Sequence, residues 1–138
     1  MKVLLDTNII MDALQERQPF ASAAKEILLC AENGQFDCFL TANAITDIFY
    51  LYSRVRDLES ARKVLDFLLK SYKIISVTHE DCVAAMSIPI QDFEDALVSA
   101  CAQKTEMNYI ISRDKKYLQE SSPVKVIEPK DFLETFAK

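Results

Sequence analysis

The chain has 138 residues, half of them hydrophobic and 27% charged, with a formal net charge of −5. This length and balance suit one domain with a full core and exclude a disordered or collagen-like chain. A single glycine, with neither GxGxxG nor GxxxxGK[ST], excludes the two common phosphate-cradling loops.

Lys2 to Leu5 reads as a short buried strand, followed by a helical stretch from about Ile9 to Leu14. Pro19 suits the first turn of a second helix, roughly Phe20 to Glu32, which Asn33 and Gly34 end as C-cap residues. "QFDCFL" is a second strand. Thr41 or Asn43 can cap a helix through about Tyr52, with a stripe that includes Ile45, Ile48 and Phe49. Asp57 or Ser60 caps the next helix, which runs to about Lys70, and "KIISV" is a third strand. Thr78-His79-Glu80-Asp81 fits a capping box. Asp92 opens a strong helix, "DFEDALVSACAQKT". "NYIIS" is a fourth strand, and Asp114 starts a short helix. "VKVI" is a possible fifth strand, and Pro129 sits at the start of a last helix. Short apolar strands alternating with helices predict an α/β domain with a parallel sheet of four or five strands and helices on both faces. No linker or repeat divides it, so residues 1–138 are expected to form a single domain.

No apolar run approaches the length of a membrane span, and the N-terminus does not read as a signal peptide. Cys30, Cys38, Cys82 and Cys101 are scattered without CxxC spacing, and the lone His79 has no metal-ligating neighbour. A zinc site is not expected, and reduced core cysteines in a cytoplasmic protein are. The acidic net charge argues against a nucleic-acid binder unless the acids gather at one place.

Several acids do fall at strand ends. In parallel α/β sheets sites form outside the carboxyl ends of the strands. Asp6 follows the first strand in "LLDTN", and Asp114 follows the fourth. Asp92 and Asp95 lie one helical turn apart with Ser99 continuing that side, and Asp47 lies on the helix after the second strand. Carboxylates collected in one pocket repel unless a cation sits between them, and oxygen-only ligands suit Mg²⁺ or Mn²⁺. Each acid also has a plainer reading, as an N-cap or a first-turn acid. Asp12, Asp37, Glu59 and Asp66 read as surface residues, and His79 as a surface or capping residue.

"VLLDTNIIMDAL", "TANAITDIFYL", "DFEDALVSACA" and "YIISRDKKYL", in that order, resemble the PIN domain, and especially the bacterial PIN proteins related to VapC-type toxins. The resemblance spans nearly the whole chain. It implies a three-layer α/β/α fold and an acidic Mg²⁺ or Mn²⁺ site, with endoribonuclease activity that leaves a 5′-phosphate and a 3′-hydroxyl. It implies Asp6, Asp47, Asp95 and Asp114 as catalytic acids, with Asp6, Asp95 and Asp114 on the metal. Asn8, Asp92 and Ser112 are supporting residues; Asp92 is read first as the cap of its helix. The family usually carries Glu at the second position, where this chain has the shorter Asp47. Arg54, Arg113 and Lys115 are candidate RNA contacts, together with Arg56 and Lys116. A small antitoxin and a second copy of the chain are the implied protein partners, and no membrane contact is implied. Two other readings are weighed. A phosphatase with an Asp nucleophile after the first strand would want a second Asp two residues on, where this chain has Asn8. A PIN-fold binding or scaffold module with a degraded site would lack metal affinity altogether.

Overall fold

The computed structural model describes residues 1–136. Five strands form one parallel sheet in the order β3-β2-β1-β4-β5. They are β1 (Lys2–Leu5), β2 (Asp37–Thr41), β3 (Lys73–Ile75), β4 (Tyr109–Ile111) and β5 (Val126–Ile127). Strand order reverses at β1. The chain first builds outward from β1 through β2 to β3, then returns to place β4 on the other side of β1 and continues to β5. In register, Leu4 lies opposite Phe39 on one side and Ile110 on the other.

Side chains alternate across the pleat, and the two faces bury different cores. Val3, Leu5 and Ile111 face one layer, with Ile9, Ile27, Ile48, Leu68 and Phe132. That layer draws on α1 (Thr7–Leu14), α2 (Ala21–Glu32), α3 (Ala42–Val55), α4 (Leu58–Ser71) and α8 (Pro129–Phe136). Leu4 and Ile110 face the other layer, with Ala85, Ala96, Cys101 and Tyr117. It draws on α5 (His79–Ala85), α6 (Phe93–Lys104) and α7 (Lys115–Gln119). The α/β/α expectation is borne out, with a fifth strand only two residues long. The four cysteines are free, and three are buried. Among the described residues no helix is long and apolar enough to cross a membrane.

Local signals set the element ends. The Asp57 carboxylate accepts from the Ser60 amide, and Thr78 and Asp81 form the reciprocal capping box. Helix α1 begins at Thr7, two residues earlier than expected, because Asp6 itself is the cap. Helix α3 runs a turn beyond Tyr52 to Val55.

Two readings of single residues are overturned. Asp12, read as a surface acid, is 1% exposed. Its position on α1 turns it inward, and Arg113 and Arg17 supply the positive charge that permits burial. Ser99, read with Asp92 and Asp95 as one polar side of α6, is fully buried. Small residues let α6 sink into its layer, so it is buried all round from Ala96 to Ala102. The Ser99 hydroxyl lies 2.6 Å from the Tyr117 hydroxyl and 2.9 Å from that of Ser122.

Candidate functional site

Strand order reverses between β1 and β4, and the crevice expected of such a switch point lies outside their carboxyl ends. Asp6 leaves β1 there, and its amide donates to the Ile111 carbonyl at 2.9 Å, which fastens the two strand ends together. One Asp6 oxygen accepts from the Thr7 amide at 2.8 Å. The other accepts from the Ser112 hydroxyl at 2.7 Å and from the Asn8 side-chain nitrogen at 3.3 Å. The Asp114 amide donates to the Ser112 hydroxyl oxygen at 3.2 Å. Residues from the ends of β1 and β4 thus form one hydrogen-bonded unit around a single carboxylate. Asn8 Oδ1, buried beside it, has no partner.

The other acids enter from α3, α6 and α7. Asp92 caps α6 by accepting from the Asp95 amide at 3.1 Å, and Asp114 caps α7 by accepting from the Lys116 amide at 3.0 Å. Asp95, on the first turn of α6, is half-buried, and its pKa is pushed up to about 7. Loss of hydration is the main cause, followed by the negative charges of Asp6, Asp92 and Asp114. The pKa of Asp6 is raised for the same reasons. Part of its surface reaches solvent, but protein atoms crowd the carboxylate and dominate, and Asp114 and Asp92 add to the effect. Three acids from different elements therefore feel one another at Asp95, which is the electrostatic signature of convergence.

Asp47 on α3 joins this group through a residue that the sequence reading passed over. Asp47 lies close enough to Glu94 to be the first cause of a Glu94 pKa pushed up to about 7. Burial and the charges of Asp47, Asp6 and Asp92 act in the same direction. The available signal was position: Glu94 lies in the first turn of α6 between two acids already singled out.

The candidate cations are spread out. Arg113 donates two hydrogen bonds to buried Asp12, and its Cζ lies 4.0 Å from the Phe20 ring centroid. Lys115 is exposed and, with Arg113 and Phe20, lines a cavity of about 670 Å³ between α2 and α8. Lys116 donates to Gln91 at 2.7 Å. Arg54 is exposed on α3 and lies over the Tyr50 ring.

The donors around Asp6 and Asp95 are all oxygens, a set that fits a hard divalent cation in kind. As the side chains stand, no three acid, histidine or cysteine groups among the described residues close on one point tightly enough to hold an ion. Mg²⁺ is commonly held by one or two carboxylates with water as its other ligands, so a tight protein cage is not required. The unpartnered Asn8 oxygen is a further acceptor at this place.

Fold and crevice together define an α/β protein with an acidic site where strand order reverses. The sequence pattern of the PIN domain matches residues 2–116, and the chain belongs to that family. All four acids taken from the motifs lie inside the matched segment. The chain is 26% identical to ribonuclease VapC1 of Aquifex aeolicus strain VF5, over 96% of this chain and 94% of that one. It superposes on VapBC2 of Rickettsia felis, solved with a DNA fragment from its promoter, with a TM-score of 0.69 and 16% identity; 93% of this chain and 98% of that chain are covered. It also superposes on Mycobacterium tuberculosis VapC20, a sarcin–ricin loop cleaving toxin, with a TM-score of 0.68 and 16% identity, over 83% and 92% of the two chains.

Proposed function

We propose that this chain is a metal-dependent endoribonuclease that hydrolyses phosphodiester bonds in RNA, and that it is the toxin of a toxin–antitoxin pair. Residues 1–138 act as a single PIN-like domain in the cytoplasm. The observation that supports the reading best is that Asp6 and Asp95 both have raised proton affinity, first through loss of hydration and then through the charges of neighbouring acids, Asp114 among them in each case. The ribonuclease name of the Aquifex relative and the sarcin–ricin loop cleaving VapC20 neighbour support the substrate class.

Asp6, Asp95 and Asp114 would hold Mg²⁺ or Mn²⁺, with the Asp47–Glu94 pair beside them. When bound, such an ion would lower the pKa of a water so that it is more readily deprotonated for attack, and would neutralise charge on the scissile phosphate. Asn8 and Ser112 orient Asp6 by filling one of its oxygens. Asp92 holds the first turn of α6, and with it the Asp95 backbone, in place. Lys115, exposed and next in sequence to Asp114, is the strongest candidate for an RNA phosphate contact. The Rickettsia VapBC2 structure supports a small antitoxin as protein partner, and self-association is part of the same proposal.

A second reading, a PIN-fold binding module without catalysis, draws on the absence of a ready three-ligand cage among the described residues. Thermal unfolding in a Mn²⁺ series separates the two. A formed site raises Tm with Mn²⁺ concentration by mass action, and Asp6→Asn or Asp95→Asn removes the rise. A flat response in the wild type would favour the binding module.

A further inference from the structure

Asp12 is a buried carboxylate that the proposed chemistry does not use. Its two oxygens accept from Nε and an Nη of Arg113, the second at 2.9 Å, and an Arg17 Nη lies at 3.8 Å. The face of the same guanidinium lies against Phe20. Arg113 is therefore held at one edge by Asp12 and on one face by Phe20. A buried ion pair seldom adds stability over a well-packed apolar pair, so its position in the fold is the informative point.

That position is the turn between Ser112 and Asp114. Ser112 is fastened to Asp6 by its hydroxyl, and Asp114 to Ser112 by its amide. Arg113, between them, is fastened to α1 through Asp12. Three consecutive residues are thus each pinned by a different bond, and two of the anchors, Asp6 and Asp12, stand at the start of α1 and one and a half turns along it.

We propose that Asp12 is a positioning residue: through its two-bond grip on Arg113 it fixes the Ser112–Asp114 turn, and so sets where the Asp114 carboxylate stands relative to Asp6. The inference rests on the reading of Asp6 and Asp114 as cation ligands. A guanidinium can grip both carboxylate oxygens in one plane, whereas an ammonium is a point charge, so Lys cannot replace Arg here even though charge is kept.

The test is Mn²⁺ binding by calorimetry at 20 °C to wild type, Arg113→Lys, Asp12→Asn and Asp95→Asn, each checked for folding by circular dichroism. RNA cleavage by the same proteins is resolved into kcat and KM. Arg113→Lys and Asp12→Asn are expected to weaken Mn²⁺ binding by about 10–100-fold, the usual effect of losing a partner that orients a ligand. They should lower kcat and leave KM unchanged. An Arg113→Lys protein that is folded and binds Mn²⁺ within twofold of wild type would overturn the inference, whatever the fate of Asp12→Asn. A raised KM with unchanged Mn²⁺ affinity would also overturn it, and would make Arg113 an RNA contact. A wild type that binds no Mn²⁺ would remove the proposed function and this inference together, whereas binding lost only in Asp95→Asn would keep the first and reject the second.

Discussion

Asp95 carries a pH signature that a single variant can remove. With a folded pKa of about 7 against an ordinary value of 3.8, it holds its proton more tightly folded than unfolded. Its contribution to stability is complete below about pH 4 and is lost as pH rises through 7. Asp95→Asn removes this dependence, so the Tm of the metal-free variant should gain on wild type from pH 5 to about pH 7 and then level off. A difference that stays constant across that range would contradict the assignment. The sign reverses for cation binding, since ligands must shed protons, and Mn²⁺ affinity of the wild type should rise through pH 7. The places of Asp6, Asp95 and Asp114 were legible in the sequence because each sits at a strand end or first helical turn that periodicity locates; their roles remain the proposal made above. Glu94 and Asp12 were not. The Glu94–Asp47 contact is made between elements far apart in the chain, and the burial of Asp12 depends on an arginine 101 residues away.

Caps and hydroxyl bonds hold the elements that carry these residues. Asp92 as cap of α6 contributes the ordinary value of such a bond, and Asp92→Ala should cost about 1 kcal/mol in urea unfolding. It should reduce cleavage far less than Asp95→Asn does. An equal loss in both would promote Asp92 from cap to ligand. The Ser99–Tyr117–Ser122 hydroxyl group joins α6 to α7 and the turn before β5. Tyr117→Phe should cost about 1 kcal/mol, because the two serine hydroxyls keep each other as partners. The caps were readable because their signal spans four residues. The sealing of Ser99 was not, because a period of 3.6 says which residues share a side and not what covers them.

At the scale of the whole molecule, the alternation of strands and helices dictated a parallel sheet, and the structure has one. The order of its strands was beyond local reading, since β4 pairs with β1 across more than 100 residues. That order matters most to the site, because it brings the ends of β1 and β4 side by side. A chain of net charge −5 that handles RNA must rely on local cations. Lys115→Ala should therefore weaken RNA binding at low salt and make the slope of log K against log salt shallower by about 1. An unchanged slope would remove Lys115 from the interface. The central claim is tested most directly by cleavage of a labelled single-stranded RNA pool with Mn²⁺, with EDTA, and by Asp95→Asn protein. The account predicts cut products with Mn²⁺ and wild type alone, and none with EDTA or the variant. Cleavage that persists in EDTA or in Asp95→Asn would contradict it.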